Sequence, residues 1–462
     1  MSKKFSHPFI PNSQPDIKKQ MLDELGMTSA EDIFKEIPDH LRFKGKLDLP
    51  EPMESEYELR RHVKGLLGKN SNCEDNISFL GGGTWQHYVP SVCDTIASRD
   101  EFLTAYVGDA YDDHGKFQAL FEFQSMIAEL VGMDCSGTPT FDWANAIGIS
   151  CRMASRKTGK REVILPENIS PGRLAVVKNY LKPEIKITMV KSEKKTGLMD
   201  LDDLKSKIND KIAAVYFENP TYLGVIETQG AEISKLTHEV GAEVIVGCDP
   251  SSLGVLEAPA NYGADIVCGE IQPLGVHMQY GGGLGGFVAT RDEEEYVAEY
   301  PQLLYGITTT LSEGEYGFGE VAYYRTSYAS REKAKDYVGT QAALHGITAA
   351  VYLALMGPHG MKELGEGIMQ RVSYAIDKIS KIKGVKLALD GCNFKEFVID
   401  FNGTGKSVAE INHELKGRNI FGGINLKKDF PDLGESALYC ITEVHTKEDI
   451  DKLIFALQEI VA

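Results

Sequence analysis

From about residue 71 onward, apolar runs of strand length alternate with stretches of helical periodicity, and this alternation restricts the fold more than any other feature of the chain. The runs are "EVILP", "IKITMV", "AAVYFE", "EVIVGC", "ADIVCG" and "GGFVAT", and helical segments such as "GAEISKLTHEV" separate several of them. Strands that are apolar throughout need cover on both faces, and the intervening helices supply it. The pattern predicts a large α/β domain with a mostly parallel sheet over residues 71–330. "GGFVAT" follows a glycine-rich turn and is the candidate for an antiparallel member.

Two further helices precede these strands. "FQALFEFQSMIAELVG" is amphipathic and closed by Gly132, and "WANAIGISCRMASRK" can follow it. Residues 1–70 have a different character and read as a helical arm: Thr28 with Glu31, and Ser55 with Glu58, have the spacing that starts helices, and a proline-punctuated stretch lies between them. Residues 331–462 read as a smaller α+β domain. In it "AALHGITAAVYLALMG" and a helix from Lys362 to about Lys381 lead to strand "EFVIDF", helix "SVAEINHEL", strand "ALYCIT" and helix "KEDIDKLIFALQEI".

A net charge of −18 disfavours polyanionic partners, because phosphate backbones are held by clustered Lys and Arg; nucleic acid is not expected. No run approaches the roughly 18 apolar residues of a membrane span, and the first twenty residues have no apolar core segment, so no membrane partner is expected and the chain reads as cytoplasmic. The eight cysteines form no CxxC pair and several lie in strand runs, so they read as buried thiols, and no metal site is expected.

Ligands of open α/β sheets sit beyond the carboxyl ends of the strands. Asp249 follows "EVIVGC" directly, in "GCDPSSLG", where an acid can hold the ring nitrogen of pyridoxal phosphate. Asn219 ends another strand in "FENPTYLG", and "YGGGLGGF" permits close backbone approach. An enzyme of this type also needs a lysine to hold the cofactor covalently, about 20 to 30 residues after that Asp. The place reads "GEIQPLGVHMQ", with Gln272 in it, and no lysine occurs between Lys235 and Lys333. Asp249, Asn219 and Gln272 are therefore read as vestigial cofactor positions. The plainer reading is that Asp-Pro after a strand is ordinary turn chemistry.

A second class of function has one pointer, "DFNGTGKSVAEINHEL", laid out like a phosphate-binding loop. That motif requires glycine five residues before Gly405, where Asp400 stands, and Ser407 with Glu410 is a ready capping box. Nucleotide hydrolysis is not expected.

Several long segments resemble one family. "FIPNSQPDIKKQMLDELGMTSAEDIFKEIP", "LRFKGKLDLPEPMESEYELRRHVKGLLGKN", "FLGGGTWQHYVPSVCDTIASRDEFLTAY", "QALFEFQSMIAELVGMD", "DIVCGEIQPLG" and "AAVYLALMG" look like segments of the alpha subunits of two-chain glycine dehydrogenase (decarboxylating), the P-protein of the glycine cleavage system. The resemblance runs nearly end to end. It implies the aminotransferase-like fold (fold type I), a beta subunit that carries the cofactor lysine, an (αβ)2 heterotetramer, decarboxylation of glycine, and aminomethyl transfer to lipoyl H-protein. It implies no catalytic residue in this chain, with His87, Tyr88, Tyr106, Tyr111 and His114 lining a shared pocket or interface.

The chain departs from the family in "AYVGDAYDDHGKF", where Asp109, Asp112 and Asp113 add carboxylates, in Trp143, where the family tends to have a small glycine, and after "REKA" at 331–334. These departures leave two alternatives open: a paralogue acting on another amino acid, and a subunit that is purely structural or regulatory.

Overall fold

The computed structural model describes residues 9–103, 114–321, 325–333, 336, 338 and 342–462. The chain divides into two compact units, Met1–Ser71 and Asn72–Ala462.

In the first unit, helix Glu56–Leu67 starts where the sequence places it, with the Ser55 hydroxyl accepting from the Glu58 amide at 3.3 Å. The other expected start is displaced by one residue. Ser29 and Asp32 form the capping box of the 3-10 helix Ala30–Glu36, because the Asp32 carboxylate takes the amides of both Thr28 and Ser29. None of the described residues of this unit is buried. Leu41, Phe43, Leu47 and Leu49 are all largely exposed.

The second unit is built on a seven-stranded sheet. Its strands are β1 Cys135–Ser136, β2 Glu162–Pro166, β3 Lys186–Val190, β4 Ile212–Glu218, β5 Glu243–Cys248, β6 Ile266–Glu270 and β7 Gly286–Thr290. Their spatial order is β1-β7-β6-β5-β4-β2-β3. The run from β3 to β6 is parallel, and β7 is antiparallel to both of its neighbours. Every position of β4 and β5 is buried. Successive side chains go to opposite cores: Val215 and Phe217 pack with helices His114–Val131 and Ala343–Ile379, while Ala214 and Tyr216 pack with helices Trp143–Thr158 and Pro171–Leu181.

Local signals set the helix ends. Gly132 closes His114–Val131 at φ +73°, and Gly159 closes Trp143–Thr158 at φ +70°. Ala343–Ile379 is interrupted at Gly357, with φ 57° and ψ −178°, next to Pro358. Among the described residues no helix is long and apolar enough to cross a membrane.

A second, antiparallel sheet runs Lys386–Leu387, Glu396–Asp400, Ser436–Cys440, Ile424–Asn425 in spatial order, with helices Val408–Lys416 and Lys447–Val461. The hairpin Tyr305–Thr309 and Tyr316–Glu320 was not legible in the sequence. The segment after residue 76 is drawn to the second sheet. Ile77–Ser78 pairs with Ile420–Phe421, the Phe79 carbonyl accepts from Cys440 N at 2.9 Å, and the Gln86 carbonyl accepts from the Thr442 hydroxyl at 2.5 Å. Gly81 is required there, because a Cβ would collide with the Glu396 carboxylate and Cys440.

The interrupted helix packs directly on the turn after Asp249: a Cβ on Gly254 would run into the backbone carbonyl of Met361. Gly254→Ala is expected to lower stability by about 1–3 kcal/mol through this overpacking, read as a lower urea midpoint. Gly65→Ala, with open space around it in an exposed helix, is expected to show no such loss.

Candidate functional site

Strands β2 to β6 end on one edge, and the chain turns there deliver the residues that the sequence singled out. Asp249 follows β5 and is 4% exposed. Its Oδ1 accepts from the Ser251 amide at 3.0 Å and the Ser251 hydroxyl at 2.7 Å. Its Oδ2 lies 2.6 Å from the Nζ of Lys395. Lys395 comes from the second sheet, directly before strand Glu396–Asp400, and its carbonyl is pinned by the Ile441 amide at 2.8 Å.

The Lys395 ammonium has two further partners from the segment 79–90. It stands 3.7 Å from the centre of the Trp85 ring and 3.0 Å from His87 Nε2. An ammonium can only donate, so His87 Nε2 accepts and the ring proton sits on Nδ1, which donates to Glu443 Oε2 at 2.8 Å. Glu443 Oε1 accepts from the Tyr88 amide at 2.7 Å. Burial raises the pKa of the Glu443 carboxyl, but the His87 ring and the Tyr88 amide outweigh burial and hold it below the usual carboxylate range.

Trp143 begins its helix behind the Asp142 cap, whose Oδ1 accepts from Asn145 N at 2.6 Å. The Arg173 guanidinium lies 3.6 Å over the Trp143 ring and pairs with Glu218 Oε1 at 2.8 Å. Tyr216 donates to the same oxygen at 2.9 Å. Glu270 ends β6 and accepts from the amides of Gly285 at 2.7 Å, Trp143 at 3.2 Å and Gln272 at 3.2 Å. Burial pushes its carboxyl up to about 8 against those donors.

Asp249 and His87 therefore meet, through Lys395. Gln272 is buried beside them but serves the backbone: it accepts from Trp85 N and donates to Trp85 O, both at 3.0 Å. Asn219 is turned away to brace Glu227 N at 3.0 Å. Tyr88 points outward, 65% exposed. Tyr106 and Tyr111 lie outside the described residues, as do Asp109, Asp112 and Asp113, while His114 opens a helix whose first side chains also lie outside them; of the altered stretch after 334, Asp336 is described and pairs with Arg152 and Arg156, and Val338 is buried. In the decoy, Ser407 and Glu410 form the expected capping box.

Sequence reasoning did not find Lys395, because it looked for a lysine on the neighbouring strand's loop. The one available signal was "FKEFVID", a lysine and a glutamate heading an apolar strand. Both are buried.

The residues present do not fit pyridoxal phosphate. Trp85, Trp143, Arg173, Tyr222, Asp249 and Lys395 enclose a space of about 10 Å3, which a single water fills. The lysine that is here, Lys395, is held against the Asp249 carboxylate.

The depressed Glu443 pKa has a sign that can be checked. The folded value lies below the ordinary carboxylate value, so the stabilisation is present above about pH 4.5 and is lost as pH falls through the folded value. Glu443→Gln is expected to flatten the fall in stability between those limits, measured by urea unfolding at a series of pH values.

The comparisons with known proteins agree on one family. The family model described as glycine cleavage system P-protein matches residues 7–457. The probable glycine dehydrogenase (decarboxylating) subunit 1 of Staphylothermus marinus is 38% identical over 99% of this chain and 98% of its own length. That of Pyrococcus abyssi is 39% identical over 98% of this chain and 99% of its own. A crystal structure of glycine decarboxylase (P-protein) of the glycine cleavage system, in inhibitor-bound form, has a TM-score of 0.86 at 31% identity, covering 99% of this chain and 100% of that one. A NifS-like protein at 13% identity shares the fold, with a TM-score of 0.63, covering 84% of this chain and 99% of that one. With a family match that runs almost from end to end, on an α/β fold with the mostly parallel sheet its sequence predicts, this chain belongs to the glycine cleavage system P-protein family.

Proposed function

We infer that the chain is subunit 1 of a two-subunit glycine decarboxylase, acting in the cytoplasm as the alpha half of an (αβ)2 assembly. Pyridoxal phosphate belongs to the second subunit, and lipoyl H-protein takes the aminomethyl group after carbon dioxide leaves. In that reading residues 71–330 and 331–462 are the large and small domains and 1–70 an arm.

The single observation that carries the reading is a P-protein family match over residues 7–457 in a chain whose own side chains fill the space beside Asp249. The relatives' shared name, subunit 1, supports a second chain. The unburied apolar residues of the first unit support an assembly that covers them. In this reading the outward-facing Tyr88, with Tyr106, Tyr111 and His114, lines the shared pocket, while Asp249, Asn219 and Gln272 are vestigial. Trp143 is 3% exposed and borders this chain's own closed space, so its departure from the family gives no reason to change the substrate.

The test is exchange of labelled bicarbonate into the substrate carboxyl, with the full chain, the presumptive second subunit and H-protein. Glycine-dependent exchange is expected with both subunits and none with this chain alone. Exchange that follows another amino acid overturns the substrate, and exchange by this chain alone overturns the subunit reading. Tyr88→Ala is expected to lower exchange about tenfold, equivalent to roughly 1.4 kcal/mol of barrier. Unchanged exchange in Tyr88, Tyr106 and Tyr111 variants would support a purely structural subunit.

A further inference from the structure

A carboxylate at the foot of a cofactor pocket needs a positive partner, because an unpaired buried charge is costly. In a pyridoxal-phosphate site the protonated ring nitrogen supplies it. Here the Lys395 ammonium stands 2.6 Å from Asp249 Oδ2, with the two side chains 3% and 6% exposed. Its other contacts are equally complete: the Trp85 face at 3.7 Å, His87 Nε2 at 3.0 Å and the Ser251 hydroxyl at 3.4 Å. This lysine is not placed as a covalent anchor, since it occupies the spot where the ring nitrogen would bind and leaves no room for a ring beside it.

The other end of a phosphorylated cofactor fares no better. Phosphates bind free amides at a helix N-terminus. Trp143–Thr158 begins at this edge, yet the Asn145 amide is taken by Asp142 at 2.6 Å and the Trp143 amide by Glu270 at 3.2 Å. The hollow on that side, about 210 Å3, is bordered by the Asp142 carboxylate, by Glu270, whose carboxyl burial keeps largely protonated near neutral pH, and by Arg173, whose guanidinium is already paired with Glu218. Asp249 does not border it.

We propose that Lys395 is the chain's own replacement for the cofactor's cation, and that the site is closed to pyridoxal phosphate in covalent and non-covalent form alike. The loss of the anchoring lysine is then only part of the change: the space, the counter-charge and the amides of Trp143 and Asn145 are all taken by protein groups. This holds whichever amino acid the assembly acts on.

The molecule carries its own probe. Its two tryptophans, Trp85 and Trp143, both border the closed space. Pyridoxamine 5′-phosphate cannot form an imine with a lysine and so isolates non-covalent binding. Titrating it into the full chain to about 1 mM is expected to give no saturable change in tryptophan fluorescence, and equilibrium dialysis no bound equivalent. Saturable quenching with one equivalent bound overturns the proposal, as does a borohydride-reduced pyridoxal phosphate adduct on Lys395.

A second measurement addresses the replacement of charge. Lys395→Met is expected to lower Tm by about 5 °C or more because Asp249 is left unpaired, and Asp249→Asn in the same chain is expected to restore most of that loss. Equal or additive losses in the double variant would mean that Lys395 only fills space, and would overturn its role as counter-ion.

Discussion

An ammonium and a carboxylate buried together each give up several kcal/mol of hydration, and they persist only where their attraction and added hydrogen bonds offset that loss. The Lys395–Asp249 pair meets this condition from three directions. Asp249 is fixed by the turn after β5, Lys395 by its place at the head of a strand in the second sheet, and Trp85 and His87 by the segment whose Phe79 carbonyl accepts from Cys440 of that sheet. The contact ties the carboxyl edge of the large sheet to the smaller one. Removing either partner strands a charge where three parts of the fold meet.

The same logic runs outward to the surface. His87 accepts from Lys395 and donates to Glu443, and Glu443 accepts from the amide of Tyr88, whose own side chain lies in solvent. Each link fixes the proton of the next, so the loop that carries Tyr88 is held by the charge network that begins at Asp249 and Lys395. On the other flank Trp143, stacked under Arg173, fills volume that a small residue would leave open. Trp143, read from the sequence as a departure from the family, is buried inside this chain.

Much of the fold was legible because it is local. Apolar runs gave the strands of the large sheet, Gly132 gave a helix end, and Ser55 and Ser407 gave caps, each decided by residues within one turn. The Thr28 start slipped by one residue because two adjacent acids compete there and Asp32, rather than Glu31, reaches back. The hairpin at 305–320 escaped notice because "YGITT" and "YGFGE" carry glycines and exposed polar residues instead of a clean alternation. At the site, Asp249 was legible from its position after a strand. Asn219 was an equally good candidate on that ground, yet it faces a backbone amide instead.

Sequence by itself determined the order of strands and helices, the family, and the lack of a lysine between Lys235 and Lys333, because composition and neighbour spacing are written along the chain. Only the tertiary structure decided which cation Asp249 meets. Lys395 lies far along the chain from Asp249, and His87 and Glu443 farther still from one another, so their meeting depends on how the second sheet and the 79–90 segment close over the first. Charge pairing acts over a few ångströms of space, and nothing in local spacing encodes it.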